Sequence, residues 1–268
     1  MRRPPFTPFL AGPPDFQVGL KPIAPEDWLL PDSEASILAW RQELIAREPD
    51  CYRRDPAFGA AEAEAARLVL KAAGAALPEV PALPEAATHV SDDLVVLHRD
   101  AAGNWRVGAI LLTSPTFFSA GHAFEKGLEA LHAPVPDGSR LAHRIARVFD
   151  GLREGLVLER FNWTLQAGPD RFTPDGEPLR RRARAAAPDA AESLLHLRVE
   201  RQTIARLPRS GGVLFTIRVA IDPVAAIAPA HRAALAAAWR GISPAGFAYK
   251  NWQAVDPLAQ ALFRRWGV

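Results

Sequence analysis

Proline placement constrains this chain more than any other feature. The 25 prolines among 268 residues make about 9% of the chain, against a typical ~5%. Many of them crowd into residues 4–31, 78–84, 169–188 and 223–257. Proline lacks a backbone N–H and clashes inside a helix. Residues 1–31 are therefore expected to wrap the surface in extended form, held by Phe6, Phe9, Phe16 and Trp28. Residues 78–88 read as a connector and 168–190 as an insertion. Residues 223–268 read as helices interrupted by Pro223, Pro229, Pro244 and Pro257, covering an edge of a sheet.

The segments between the proline clusters carry regular patterns. A helix is expected from a cap at Asp32 or Ser33 to just before Pro49, with Ile37, Leu38, Trp40, Leu44 and Ile45 as its apolar side. A second, alanine-rich helix is expected over 58–76. Strands are expected at 94–97 and 105–112 around the turn Asp100–Asn104. Helices follow at about 122–131 and 139–154, then strands at 157–166, 195–205 and 212–221. Two strands, a helical crossover and three more strands make an α+β fold. The expected core is a PAS-like, five-stranded, mostly antiparallel sheet with helices on one face and helical additions at both ends, in one domain over 1–268. Other α+β folds share this order.

Several functions are excluded by what the chain lacks. Its single cysteine, Cys51, rules out a disulfide framework, a cysteine-rich zinc site and an iron–sulfur cluster within the chain. Cys51 reads as an inert buried thiol. No GxGxxG, Walker A, HExxH, GxSxG or EF-hand pattern is present. The net charge is +2, and only four of the 32 basic residues are lysines. The arginine excess forms no concentrated stripe, so nucleic acid is not expected as a partner. No apolar run approaches the ~18 residues of a membrane span. Prolines break any signal-peptide core after Met1-Arg2-Arg3. No membrane partner is expected, and the location expected is cytoplasmic.

Candidate chemistry lies in the middle of the chain. His132 ends a helix and is followed by Ala133-Pro134-Val135-Pro136. A fixed imidazole there suits an axial metal ligand, and it equally suits a helix end favoured by the macrodipole. On strand 195–205, alternation puts His196, Arg198, Glu200 and Gln202 on one face and Leu197, Val199 and Arg201 on the other. A polar face on a central strand meets solvent, a partner or a polar ligand. Arg160 and Asn162 share one side of strand 157–166, opposite Phe161 and Trp163. Thr216 and Arg218 share one side of strand 212–221, opposite Phe215, Ile217 and Val219. Glu200 can hold a cationic substrate or carry protons. The run Arg180, Arg181, Arg182 and Arg184 reads as a solvated surface, or as a dock for an acidic electron donor. His98-Arg99-Asp100 echoes an H-x-D iron motif but sits at the hairpin turn.

Three segments resemble the haem-dependent oxidative N-demethylase family, of the α-subunit type. They are Leu131-His132-Ala133-Pro134-Val135-Pro136, Arg160-Phe161-Asn162-Trp163, and Leu197 to Ser210 followed by Phe215-Thr216-Ile217-Arg218. Gly19-Leu20 and Trp28 also stand where the family has them, and the resemblance covers about residues 5–255. It implies a PAS-type fold holding one haem b per chain. It implies oxidation of a methyl group on a secondary amine such as dimethylamine by O2, releasing formaldehyde. Electrons would come from NAD(P)H through a separate flavin and iron–sulfur reductase. By the same resemblance His132 is the expected iron ligand. Arg160, Asn162, Trp163, Arg198, Arg201 and Arg218 are expected at the cofactor, and Glu200 and Gln202 at the reaction site. The chain departs from the family in having Phe118 where a Trp is usual, and in Ala123 and Glu125 where Lys and Gly are expected. The competing reading is a haem-binding PAS-like sensor or a non-catalytic interaction subunit.

Overall fold

Strict alternation along three long strands builds the centre of the molecule, because a strand turns successive side chains to opposite faces. The computed structural model describes residues 3–14, 16–31 and 35–268. Strands β1 (Lys21–Ile23), β2 (Tyr52–Arg54), β3 (Asp92–Arg99), β4 (Trp105–Leu111), β5 (Val157–Ala167), β6 (Leu195–Arg206) and β7 (Val213–Pro223) form one sheet in the order β1-β5-β6-β7-β3-β4-β2. All of these pairs are antiparallel. The fold is α+β as expected, but the sheet has seven strands rather than five. Two three-residue strands, from segments rich in proline and arginine, were too short to show alternation. Each caps one edge, β1 on β5 and β2 on β4, which shields the sheet from pairing with other chains.

Helices cover both faces rather than one. On the back face, Leu94, Val96, Ala109, Leu111 and Leu214 pack with helix Gly59–Ala72. On the same face, Trp163, Leu165, Leu197 and Val199 pack with helices Pro229–Arg240 and Asp256–Trp266. The C-terminal region therefore lies against the sheet instead of along its edge. On the front face, Val95, Leu97, Val107, Ile110, Ile204 and Phe215 meet helix Gly138–Gly151 and the short helices before it. That helix presents Leu141, Ala142 and Phe149 inward. Helix Ala35–Arg47 occupies the expected position, and its expected cap lies outside the described residues.

The expected helix 122–131 is two pieces, Ala120–Ala123 and Leu128–His132. Between them Glu125 takes a positive φ of 61°, which breaks a right-handed helix. The described N-terminal residues pack on the sheet, but they form 3-10 turns at Pro8–Ala11 and Pro25–Asp27 where a fully extended segment was expected. Phe9 is 1% exposed and meets the Trp163 ring edge-on. Trp28 Nε1 donates to Thr203 Oγ1 at 3.0 Å.

Candidate functional site

The front of the sheet and its covering helices do not close on each other. They leave a cavity of about 700 Å³, within the ~300–1,000 Å³ range of small-molecule sites. One wall is apolar, with Val95, Leu97, Ile110, Leu128, Ile145 and Phe215 among its residues. The other is polar and comes from the even-numbered residues of β5 and β6. Register pairs Arg160 with Gln202, Asn162 with Glu200 and Thr164 with Arg198. Neighbouring strands with polar residues at matching parity thus lay one continuous polar strip across the cavity.

Glu200 is the centre of that strip. It is 7% exposed. Its Oε2 accepts hydrogen bonds from Gln202 Nε2 at 2.7 Å and Asn162 Nδ2 at 3.2 Å. Its Oε1 makes no protein hydrogen bond among the described residues and is left for a ligand. Asn162 is itself oriented: Lys250 Nζ donates to Asn162 Oδ1 at 2.9 Å and to the Trp163 carbonyl at 3.2 Å. Burial lowers the Lys250 ammonium to about 8, with Glu200 opposing the shift and Arg160 adding to it. A carboxylate with one oriented and one open oxygen is a receptor for a cation.

His132 stands in the same cavity. Its Nδ1 lies 2.7 Å from the Leu128 carbonyl. A carbonyl only accepts, so Nδ1 carries the proton and Nε2 keeps its lone pair. Burial holds the imidazole below its usual pKa, and the nearby Arg160 guanidinium pushes the same way, with the Leu128 bond opposing. The ring is therefore a neutral donor with a fixed tautomer, the state a metal ligand needs. The turn after it is tight: Val135 N–H donates to the His132 carbonyl at 2.9 Å. A Cβ added at Gly138 would sit 1.9 Å from that same carbonyl oxygen. Only glycine lets the next helix begin so close to His132.

The expected site residues separate into three groups. His132, Arg160, Asn162, Glu200 and Gln202 come together around the cavity. Arg160 also donates to the Gln17 carbonyl at 2.7 Å, which ties the N-terminal wrap over the cavity. Trp163 borders the cavity, but its ring packs on the back face against Trp252 and Trp239.

Three arginines stand apart from a ligand role. Arg198 is fully buried and borders the cavity, yet its guanidinium is consumed by the protein. It donates to Thr116, Gln166 and Thr173 side chains and to the Ser114, Pro115, Asp170 and Arg171 carbonyls. Burial lowers its pKa to about 10, which leaves it a cation at neutral pH. Arg201 is on the opposite face, bound to Glu159 and to the Trp28 and Asp27 carbonyls. Arg218 is also there, with Nη2 2.8 Å from Asp92 Oδ2. Alternation separates Arg198 from Arg201, and register places Arg218 opposite Arg201.

Arg180, from the basic run expected to be a solvated surface or a donor dock, also lines the cavity. Lys250 from the C-terminal region and Asp175 and Gly176 from the expected insertion reach it without having been candidates. No motif marks them, because tertiary packing alone brings them there. The scarcity of lysine was the one available signal for Lys250. The basic run is largely paired: Arg180 and Arg184 with Glu177, Arg182 with Asp170. His98 lies 2.8 Å from the Arg99 carbonyl and 3.0 Å from the Ser210 carbonyl, and Asp100 caps its own turn. Among the described residues, no group of three or more His, Cys, Asp or Glu could hold a metal ion. A metal at His132 would have to bring other ligands with it. Cys51 is buried, and burial raises its thiol to about 11. No helix among the described residues is long and apolar enough to cross a membrane.

A family model described as haem-dependent oxidative N-demethylase, alpha subunit-like, matches residues 33–259. The match spans more than half of the chain and contains His132, Arg160, Asn162, Glu200, Gln202 and Lys250. The chain belongs to that family.

Proposed function

We propose that this member of the family binds haem b, one per chain, in the front cavity through His132 and oxidatively demethylates a small secondary or N-methylated amine. The observation that carries the reading is the pairing, within one cavity, of a neutral imidazole with a free Nε2 and a carboxylate with a free Oε1. The residues present fit haem. The cavity volume suits a molecule of that class. Its apolar wall suits the macrocycle, and the cations Arg160, Arg180 and Lys250 suit carboxylate side groups. When bound, haem supplies the activation of O2.

The chain's own residues supply orientation and proton handling. The Leu128 carbonyl keeps the proton on His132 Nδ1, so Nε2 stays available. Glu200 Oε1 receives the ammonium of the amine and holds its methyl group within the cavity. Asn162 and Gln202 fix the carboxylate through Oε2, so it does not rotate away from its substrate. Glu200 takes the ammonium proton when nitrogen must become neutral. The apolar wall excludes water from the methyl group. The balanced outcome consumes O2, two electrons and two protons, and gives the demethylated amine, formaldehyde and water. The electrons come from NAD(P)H through a reductase with flavin and iron–sulfur centres on another chain. The alpha subunit-like description of the family supports such an assembly.

The test is an absorption spectrum of protein produced with haem supplied, for wild type and His132→Ala, followed by a formaldehyde assay with methylamines. A Soret band lost or shifted in the variant, and formaldehyde that depends on amine, O2 and reductant, are expected. A haem-free protein would overturn the reading. Haem without formaldehyde across small methylamines would leave a sensor or interaction subunit.

A further inference from the structure

Three tryptophans run from the cavity into the back of the molecule. Trp163 borders the cavity. Its ring centroid is 5.5 Å from that of Trp252. Trp252 and Trp239 are stacked, with centroids 3.7 Å apart and planes within 7°. Trp252 and Trp239 are each 1% exposed and Trp163 is 2% exposed. Contact between indoles at these distances serves hydrophobic packing. Packing does not account for their polar atoms, which are graded along the row.

Trp163 Nε1 is buried with no hydrogen-bond partner among the described residues. Trp252 Nε1 donates to the neutral hydroxyl of Thr164 at 2.8 Å. Trp239 Nε1 donates to the carboxylate of Asp256 at 2.8 Å. An indole that loses an electron becomes a strong acid, so the group accepting its N–H decides where the electron deficit rests. Trp163 has no acceptor and Trp252 has a poor one. Lys250 Nζ lies 5.9 Å from the Trp252 ring centroid, and its positive charge disfavours a second positive charge there. Trp239 has a carboxylate ready to take its proton. Asp256 is only partly buried, and Gln260 Nε2 donates to the same oxygen at 3.1 Å, which holds it in place.

We propose that Trp163, Trp252 and Trp239 form a one-electron relay that draws oxidising equivalents out of the cavity when no amine is present to consume them. The inference rests on haem occupying the cavity as set out above. Its oxidant is hydrogen peroxide, the product of O2 reduction without substrate. Peroxide breaks its oxygen–oxygen bond and is reduced to two waters, taking two electrons and two protons. The two electrons leave Trp239 one at a time through Trp252 and Trp163, the reductant restoring Trp239 between them, and the two protons come from solvent. The Trp239 N–H proton passes to Asp256, leaving a neutral indolyl radical. A small reductant in solution, of the ascorbate class, returns the electron while Asp256 returns the proton. The relay thereby protects haem and cavity residues during unproductive turnover.

The experiment treats the full chain, loaded with haem b, with hydrogen peroxide and freezes it within milliseconds for electron paramagnetic resonance. Indole-deuterated tryptophan identifies an indolyl radical. Wild type is expected to show a neutral indolyl radical, and Trp252→Phe to lose it and bleach its Soret band faster. Asp256→Asn keeps the side-chain shape and removes the proton acceptor, so it too is expected to lose the neutral radical. The circular-dichroism exciton couplet of the stacked Trp239 and Trp252 pair, read in haem-free protein, shows that Asp256→Asn is folded. An indolyl radical of equal yield in wild type and both variants would overturn the relay, as would equal bleaching with no indolyl radical. Protein that takes up no haem would overturn both this relay and the proposed function. Haem uptake with an unaffected radical would overturn the relay alone.

Discussion

Replacing Glu200 with glutamine separates charge from shape at the polar wall of the cavity. The carboxylate uses Oε2 to accept from Asn162 and Gln202. A glutamine side chain can turn its own carbonyl oxygen to those two donors, so the strand pairing around it survives. What changes is the other position. The open Oε1 becomes an NH2 group, which donates where an ammonium ligand also donates. The loss is one hydrogen bond to a charged group, worth about 1.5–3 kcal/mol. That corresponds to a roughly 10- to 150-fold weaker affinity for a cationic amine. The assay is amine titration followed by the shift of the haem absorption band, with haem content measured on the same samples. Turnover is expected to fall far more than haem content. Equal loss of haem and amine affinity would refute the reasoning and make Glu200 a residue that holds the cofactor or the fold. Unchanged affinity would remove it from the amine site altogether.

Four further outcomes follow from the geometry. His132 is held below its ordinary pKa of 6.5 by burial, so its contribution to stability is whole above pH 6.5 and is lost as pH falls through the lowered value. Haem uptake, which needs the neutral ring, should therefore persist somewhat below pH 6.5 and then fail, as a pH series of Soret spectra would show. Gly138→Ala forces a Cβ onto the His132 carbonyl oxygen and should reduce haem uptake while urea unfolding shows a folded protein. Arg198→Met strips donors from four backbone carbonyls and three side chains. With a penalty of about 1–3 kcal/mol for each buried group left unsatisfied, a loss on the order of 3 kcal/mol or more is expected from urea midpoints. Lys250 ionises near pH 8, and its positive form repels a cation in the cavity. Amine affinity should therefore rise as pH passes about 8 in wild type, and that rise should vanish in Lys250→Met.

The legible part of the site was the part written along single strands. Alternation on residues 195–205 separates Glu200 and Gln202 from Arg201, and the register of β6 on β5 sets Arg160 and Asn162, candidates from sequence as well, directly beside Gln202 and Glu200. His132 was legible for a similar reason, because a helix end followed by two prolines is a local event. The edges of the sheet were not legible, since three residues of β1 or β2 cannot display a period of two. Nor could local pattern show that Arg198 spends its donors on Gln166 and on the 114–116 and 170–173 loops. That fact depends on residues up to 84 positions away. The arginine is on the expected face and is nonetheless closed to a ligand, so facing a cavity and being free to bind in it are separate conditions.

The same alternation explains why β5 is the strand on which both proposals meet. Its even residues, Arg160, Asn162 and Thr164, face the cavity, while Phe161, Trp163 and Leu165 face the C-terminal helices. A strand of this kind is a partition one backbone thick. Thr164 shows the coupling directly: it borders the cavity and its hydroxyl accepts from Trp252, on the indole side. Lys250 does the same from the C-terminal region, donating to Asn162 while its ammonium lies over the Trp252 ring. Any group that reorients Asn162 or neutralises Lys250 therefore also changes the electrostatic field at Trp252. Amine binding at Glu200 and electron transfer through Trp252 should consequently be linked. An amine bound at Glu200 should reduce the radical yield after peroxide in wild type, and that reduction should shrink in Lys250→Met. A radical yield indifferent to saturating amine would show that the two faces of β5 act independently.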